Sequence, residues 1–229
     1  APVGVFIEFG DTLYYINGSM WQISDTFVIT PVTPYVPVVM INCRPDLSES
    51  TDNEAFNLIG DKFTVHYNGD GNTKAYKVPQ EPTEVTVDVD GEPTTAFTYS
   101  TGTVTFTNAP GVGTNNVWIT CTKSGSDPIS KCTMGVPFGG ESSGVYGGTR
   151  VFVTGNPDYP YHYWRSDLIT NGGMRYFPDT SVEPLAQNSE PITAVAKMGA
   201  QLIVFKEHSI FAIGYHFDGE DAYYPVAEC

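Results

Sequence analysis

Charge is scarce in this chain, and nearly all of it has one sign. Charged residues fill 16% of 229 positions, with 11 Lys and Arg against 26 Asp and Glu, giving a net charge of −15. Globular chains average roughly a quarter charged residues. No run of Lys or Arg occurs, so the phosphate neutralisation that nucleic-acid binding needs is missing. Specific nucleic-acid binding is therefore not expected. The acidity has two readings: solubility, or a lumen past which DNA slides without sticking.

Long apolar stretches are missing too. No apolar run approaches the roughly 18 residues of a membrane helix, so no membrane partner is expected. The opening APVGVFIEFGDTLYY has no basic region of the kind that begins a secretory signal. The chain starts without Met and stops at Cys229 after an apolar-acidic run, and it reads as a segment of a longer one. Cysteine is rare: Cys43, Cys121, Cys132 and Cys229 form no CxxC and no Cys/His zinc spacing. Cys121 and Cys132 flank the turn-rich TKSGSDPISK and could meet across strands. Two buried thiols are the preferred reading for a protein assembled inside a cell.

Motifs of catalysis are equally sparse. There is no H-E-x-x-H and no P-loop. His66, His162, His208 and His216 lie one to a region, unpaired in sequence. Asp88, Asp90 and Glu92 in DVDGE lack the third ligand and downstream Glu of a calcium loop. Asn68, Asp70 and Asn72 in NGDGN alternate more suggestively, but turn chemistry explains both strings. Twenty-six carboxylates make chance pairs inevitable, so their number does not argue for a glycosidase. A sialidase-like site would need clustered arginines, and Arg44, Arg150, Arg165 and Arg175 carry no such motif. Arg150 and Arg165 are expected to pair with Asp158, Asp167 or Asp179 and pin the loop between them. No cofactor, metal or catalytic residue is expected.

What the chain has is aromatics at 13%, with 23 Gly and 17 Pro, a composition that suits a turn-rich all-β protein. Many tyrosines fit either a surface kept in an assembly or the filling of sheets. Arg150–Thr154, Ile192–Ala196, Leu202–Phe205 and Ile210–Ile213 are β-branched or aromatic runs too short for helices. Strand signals also fill residues 3–30, where Asn17-Gly18 marks a hairpin. Gly10–Ile23 and Gly199–Ile213 share one hairpin pattern, as copies in a repeat architecture would. Prolines 31, 34, 37 and 45 mark an extended connection rather than a central strand. Leu47–Ala55 is polar and reads as a boundary loop.

Residues 57–124 differ in texture. Six short strand candidates are separated by turn strings such as Asp90-Gly91 and Thr101-Gly102, the pattern of a small β-sandwich. In it Val85, Val87 and Val89 face one way and Thr86 and Asp88 the other, while Val104 and Phe106 point inward. The expected fold is all-β: a partial or small β-propeller-like domain (1–56 and 125–229) interrupted by an inserted β-sandwich domain (57–124). Without the sandwich about 160 residues remain, three to four blades at roughly 40–45 residues each, short of the usual closed ring. Missing blades would come from further sequence or from another subunit.

TRVFVTGNPDYPYHYWRSD, RYFPDTSVEPL and EPITAVAKMGAQLIVFKEHSIFAI together resemble a family of virion structural proteins of tailed bacteriophages and prophages. In that family a blade strand ending in GNP is followed by a YFP element and a closing LIVFKE-SI hairpin. The resemblance covers residues 130–217 and, in outline, the first 45. The 57–124 module is similar to sandwich inserts of phage structural proteins, with a VDG turn and a VTFTNAPG strand exit. The resemblance implies a β-propeller neck or tail protein without catalytic residues, located in the virion and assembled in the host cytoplasm. Its implied partners are other virion proteins and copies of itself in a ring. The rival is a carbohydrate-binding or adhesin-like surface protein, because YPYHYW and NNVW place aromatics beside Asp and Asn. The candidate contact residues are Tyr159, Tyr161, Tyr163, Trp164 and Trp118. Aromatics between prolines also serve as a loop's own core.

Overall fold

A computed structural model describes residues 4–125, 127–139, 149–186, 190–217 and 222–229. The protein is all-β: six sheets, none closed into a barrel, and no α-helix among the described residues. No helix there is long and apolar enough to cross a membrane. The chain divides into two compact units, Ala1–Pro34 with Asp127–Cys229, and Tyr35–Ser126.

The first unit begins with β1 (Val5–Phe9), β2 (Thr12–Ile16), β3 (Met20–Ile23) and β4 (Ile29–Pro31), an antiparallel meander in chain order. The Asn17-Gly18 signal lies in the β2–β3 turn, where Gly18 takes φ 90°.

The second unit carries β5 (Val38–Cys43), β6 (Thr51–Asp52), β7 (Lys62–Gly69), β8 (Ala75–Lys77), β9 (Glu84–Val89), β10 (Glu92–Thr94), β11 (Phe97–Ser100), β12 (Thr103–Phe106) and β13 (Gly113–Thr122). Six strands run in the order β10-β9-β13-β7-β5-β6, and three in the order β11-β12-β8. Both sheets feed one core around Phe63, Val65, Tyr67, Tyr76, Val104, Phe106 and Ile119. Tyr67 donates its hydroxyl to Lys77 O at 2.6 Å, so its buried polar end is satisfied. Asp90-Gly91 and Thr101-Gly102 both hold two successive positive φ values, the form that matches the twist of a two-residue hairpin.

The proline-rich connection corrects the sequence reading. Val38–Cys43 is not a mere connection: β5 lies inside the large sheet, parallel to β7 and antiparallel to β6. Pro31, Pro34 and Pro37 all precede it, so none removes a ladder donor from the strand itself.

Back in the first unit are β14 (Met134–Phe138), β15 (Arg150–Thr154), β16 (His162–Arg165), β17 (Val182–Pro184), β18 (Ile192–Met198), β19 (Gln201–Lys206), β20 (Ile210–Ile213), β21 (His216–Phe217), β22 (Ala222–Tyr223) and β23 (Val226–Glu228). β14 to β17 form a second antiparallel meander, and β18-β19-β20-β23 a third four-stranded sheet. The aromatic segment from Asn156 to Glu190, which reads as nearly strandless, contains β16, β17 and two helical turns at 169–171 and 173–175. Their cost in order is met by burial of Met174, Tyr176, Phe177 and Leu185.

The β14–β17 sheet is covered on both faces, which explains why RVFVT is an unbroken buried run. On one face Ile7 of β1 lies over Gly135 of β14. On the other, Phe138, Phe152 and Tyr163 pack with Leu202, Val204, Phe211 and Ile213 of the third sheet. The first strands of the three sheets are neighbours: β1 beside β14, and β14 beside β18.

Candidate functional site

The loop that carries most of the candidate aromatics is built on Asn156. This buried side chain donates to Pro128 O at 2.7 Å and accepts from Asp158 N at 2.8 Å, turning the chain out of β15. Tyr159 caps the turn and is 49% exposed; Tyr161 is half-buried. Tyr163 and Trp164 then enter β16, where successive side chains take opposite faces, and both faces are covered. Tyr163 stacks on Phe152 and donates to Glu183 Oε2 at 2.8 Å. Trp164 pairs across to Val153 and Val182. Neither ring has a face to offer a ligand. His162 sits among Tyr159, Tyr161 and Trp164, and burial lowers its pKa, favouring the neutral ring.

Trp118 belongs to β13 in the other unit. Its indole N–H donates to Asn115 O at 2.6 Å, its ring stacks on His66 at 4.8 Å, and it is 41% exposed. Burial beside that ring lowers the His66 pKa.

Arg150 pairs with Asp167 at 3.1 Å and also donates to Ser166 O. Arg165 takes Glu183 instead of a loop aspartate, and its guanidinium lies 4.7 Å over the Tyr224 ring. Asp158 pairs with Lys131 at the surface. Both arginines thus hold strands rather than line a pocket. Asp70 accepts from Asn72 N, Thr73 N and the Thr73 hydroxyl, and these bonds bring its carboxyl down to about 2. The NGDGN string is a self-satisfied turn. Among the described residues no group of three His, Cys, Asp or Glu is placed to hold a metal ion. All four cysteines are free thiols, with Cys43, Cys121 and Cys132 buried and Cys229 exposed. Burial raises Cys43 to about 11 and Cys121 to about 12.

The surface that stands out was not singled out by sequence. In the β1–β4 sheet, Ile7, Phe9, Ile16 and Met20 are buried, and the opposite face is apolar as well. Register aligns Phe6, Tyr15, Trp21 and Pro31 in one cross-strand row, and Leu13, Ile23 and Ile29 in the next. Phe6 is 61% exposed, Ile29 62% and Phe27, at the β3–β4 turn, 86%. Phe6 and Tyr15 stack at 4.4 Å. Part of this face is a groove of about 560 Å³ floored by Leu13, Ile23 and Phe27 and edged by Glu8, Asp11 and Asp25. A signal was present: VFIEF, TLYYI and MWQI place apolar residues at both parities, so each strand has two apolar sides. A second groove, about 520 Å³, lies by Asn156, Pro157, Pro160, Pro191 and Ile192, with no ionisable group on its wall.

Comparison with family models, curated proteins and solved structures gives no match for this chain.

Proposed function

We propose that this protein is a non-enzymatic structural component of a bacteriophage or prophage virion, in the neck or tail, acting through protein–protein contacts. The observation that carries the reading is the solvent-facing aromatic face of the β1–β4 sheet. Monomeric proteins seldom expose contiguous apolar patches beyond a few hundred Å², and such patches mark contact surfaces. Three four-stranded antiparallel sheets with adjacent first strands support a partial β-propeller. Two sheets around one core in the Tyr35–Ser126 unit support an inserted β-sandwich. The partners are other virion proteins, met in the host cytoplasm during assembly. The acidic chain gives DNA no basic track to grip.

The test is co-purification. Particles induced from the source cells are banded by density and probed with antibody against this chain. The protein is expected in the particle band at a fixed ratio to capsid protein. Its presence only in the particle-free fraction would refute the proposal.

A carbohydrate-binding surface is the second reading, favoured by the half-exposed rings of Tyr159 and Trp118. It predicts glycan binding that Tyr159→Ala or Trp118→Ala abolishes.

A further inference from the structure

We infer that two copies of this chain join head to tail, the outer β1–β4 face of each packing on the outer β18–β23 face of the other. The inference deepens the reading of the β1–β4 face as a contact surface and does not depend on the protein being found in a virion.

The three four-stranded sheets of the first unit are stacked with the β14–β17 sheet in the middle, so the outer faces of the other two lie at the ends. One is the aromatic face around Phe6 and Trp21. The other is set by the register of β18, β19 and β20: Ala194 beside Phe205 and Ile210, and Ala196 beside Ile203 and Ala212. On it Met198, Phe205 and Ile210 are exposed, Ala194 and Ala196 are open to solvent, and Ile203 and Ala212 are buried. The ends differ: the first carries Phe6, Tyr15 and Trp21, and the second sets the exposed Ala194 and Ala196 beside Met198, Phe205 and Ile210. That is the bulky-on-small match by which Ile7 already meets Gly135 inside the stack.

Phe27 lies at the edge of this face. This aromatic residue is held at φ 58°, a left-handed conformation that costs any L side chain energy, and it is 86% exposed. The turn enforces it: Phe27 N donates to Ser24 O, and Val28 N donates to the Ser24 hydroxyl at 3.1 Å. The turn thus presents the ring to solvent beside Leu13 and Ile23 of the aromatic face.

The area suits a second copy. At roughly 200 Å² per fully exposed aromatic side chain, Phe6 and Phe27 offer about 300 Å². Leu13 and Ile29 raise the patch to roughly 450 Å², as large as the contact patches that function uses. With roughly 300 Å² on the opposite face, two such contacts bury roughly 1,500 Å² in a closed pair, within the range of a stable interface. A heterologous contact closes or runs on as a filament. Three sheets from each copy make six, within the usual propeller range of roughly four to eight. Each copy carries −15, so the pair is held by apolar contact against charge repulsion, and added salt strengthens it.

Sedimentation velocity on the full chain, from 1 to 100 µM and from low to about 0.5 M salt, tests this. A dimer that tightens with salt is expected. Phe27→Gly should weaken the dimer at least tenfold while raising the melting midpoint of the protomer, a pair of signs that misfolding cannot produce. Ala196→Arg should weaken it equally. Mixing the two variants should restore dimers, because one mixed contact is then free of both changes. A monomer throughout the range, a dimer indifferent to both substitutions, no recovery on mixing, or open-ended oligomers would overturn the inference. Particle co-purification tests virion membership separately, so either idea can fail alone.

Discussion

Gly135→Val tests whether the β1–β4 sheet rests on the β14–β17 sheet. Gly135 does not occupy the left-handed region, so a side chain there meets no backbone strain. A Cβ at this position falls within contact range of Ile7 Cδ1, closer than any real pair, and 3.2 Å from Val153 Cγ1. Carbon atoms prefer roughly 3.5–4.0 Å. Ile7 is 2% exposed and Val153 is wholly buried, so neither can swing into solvent. Overpacking of this kind costs about 1–3 kcal/mol. Valine's preference for strands and the lost flexibility of glycine offset about 1 kcal/mol of that. A drop in the melting midpoint of at most about 8 °C follows for a unit of this size. Ile7→Ala alone should cost about 2–5 kcal/mol by opening a cavity. Together the two changes roughly conserve volume, so the double variant should be at least about 1 kcal/mol more stable than the two costs added. Urea unfolding followed by the fluorescence of Trp21 and Trp164, both in this unit, gives the four stabilities. Strict additivity between residues so distant in sequence would refute the packing.

Three further outcomes are expected. Glu183→Ala should destabilise by about 1–3 kcal/mol by leaving Arg165 and the Tyr163 hydroxyl without their acceptor, and Glu183→Gln by less; chemical denaturation reads both. His66 has its pKa lowered by burial, so the unfolded chain binds its proton more readily. Its contribution is full above about pH 6.5 and is lost as pH falls through the lowered folded value; His66→Gln should flatten the melting curve's pH dependence in that window. In the native protein only Cys229 should react promptly with a thiol reagent, whereas denaturant without reductant should reveal all four thiols; a disulfide would leave two missing and make the melt sensitive to reductant.

Much of the local structure was legible because local chemistry decides it. Asn17-Gly18, Asp90-Gly91 and Thr101-Gly102 each supply a glycine that takes positive φ without strain, and each is a hairpin turn. Val87, Val104 and Phe106 alternate with polar neighbours and point into the core as read. Val38–Cys43 escaped notice because its ladder lies with β7, a parallel partner reached only after β6 and a long connection, and the nearby prolines masked it. β16 was hidden for another reason. Tyr163 and Trp164 are buried on opposite faces, so HYWR shows no alternation. The same two-sided burial removes them from the candidate contact set, leaving Tyr159 and, in the other unit, Trp118 as the exposed aromatics. The apolar face of β1 to β4 was written in the strands, but one apolar side of a strand looks like the other until packing shows which is covered.

The proposed role requires the β1–β4 face to be where this protein meets its neighbours in an assembled particle. Electron cryomicroscopy of purified particles measures that directly. The expected map places this chain in a neck or tail ring, with Phe6, Trp21 and Phe27 buried against an adjacent protein. A map in which that face is bare to solvent, or in which no density fits this chain, would contradict it.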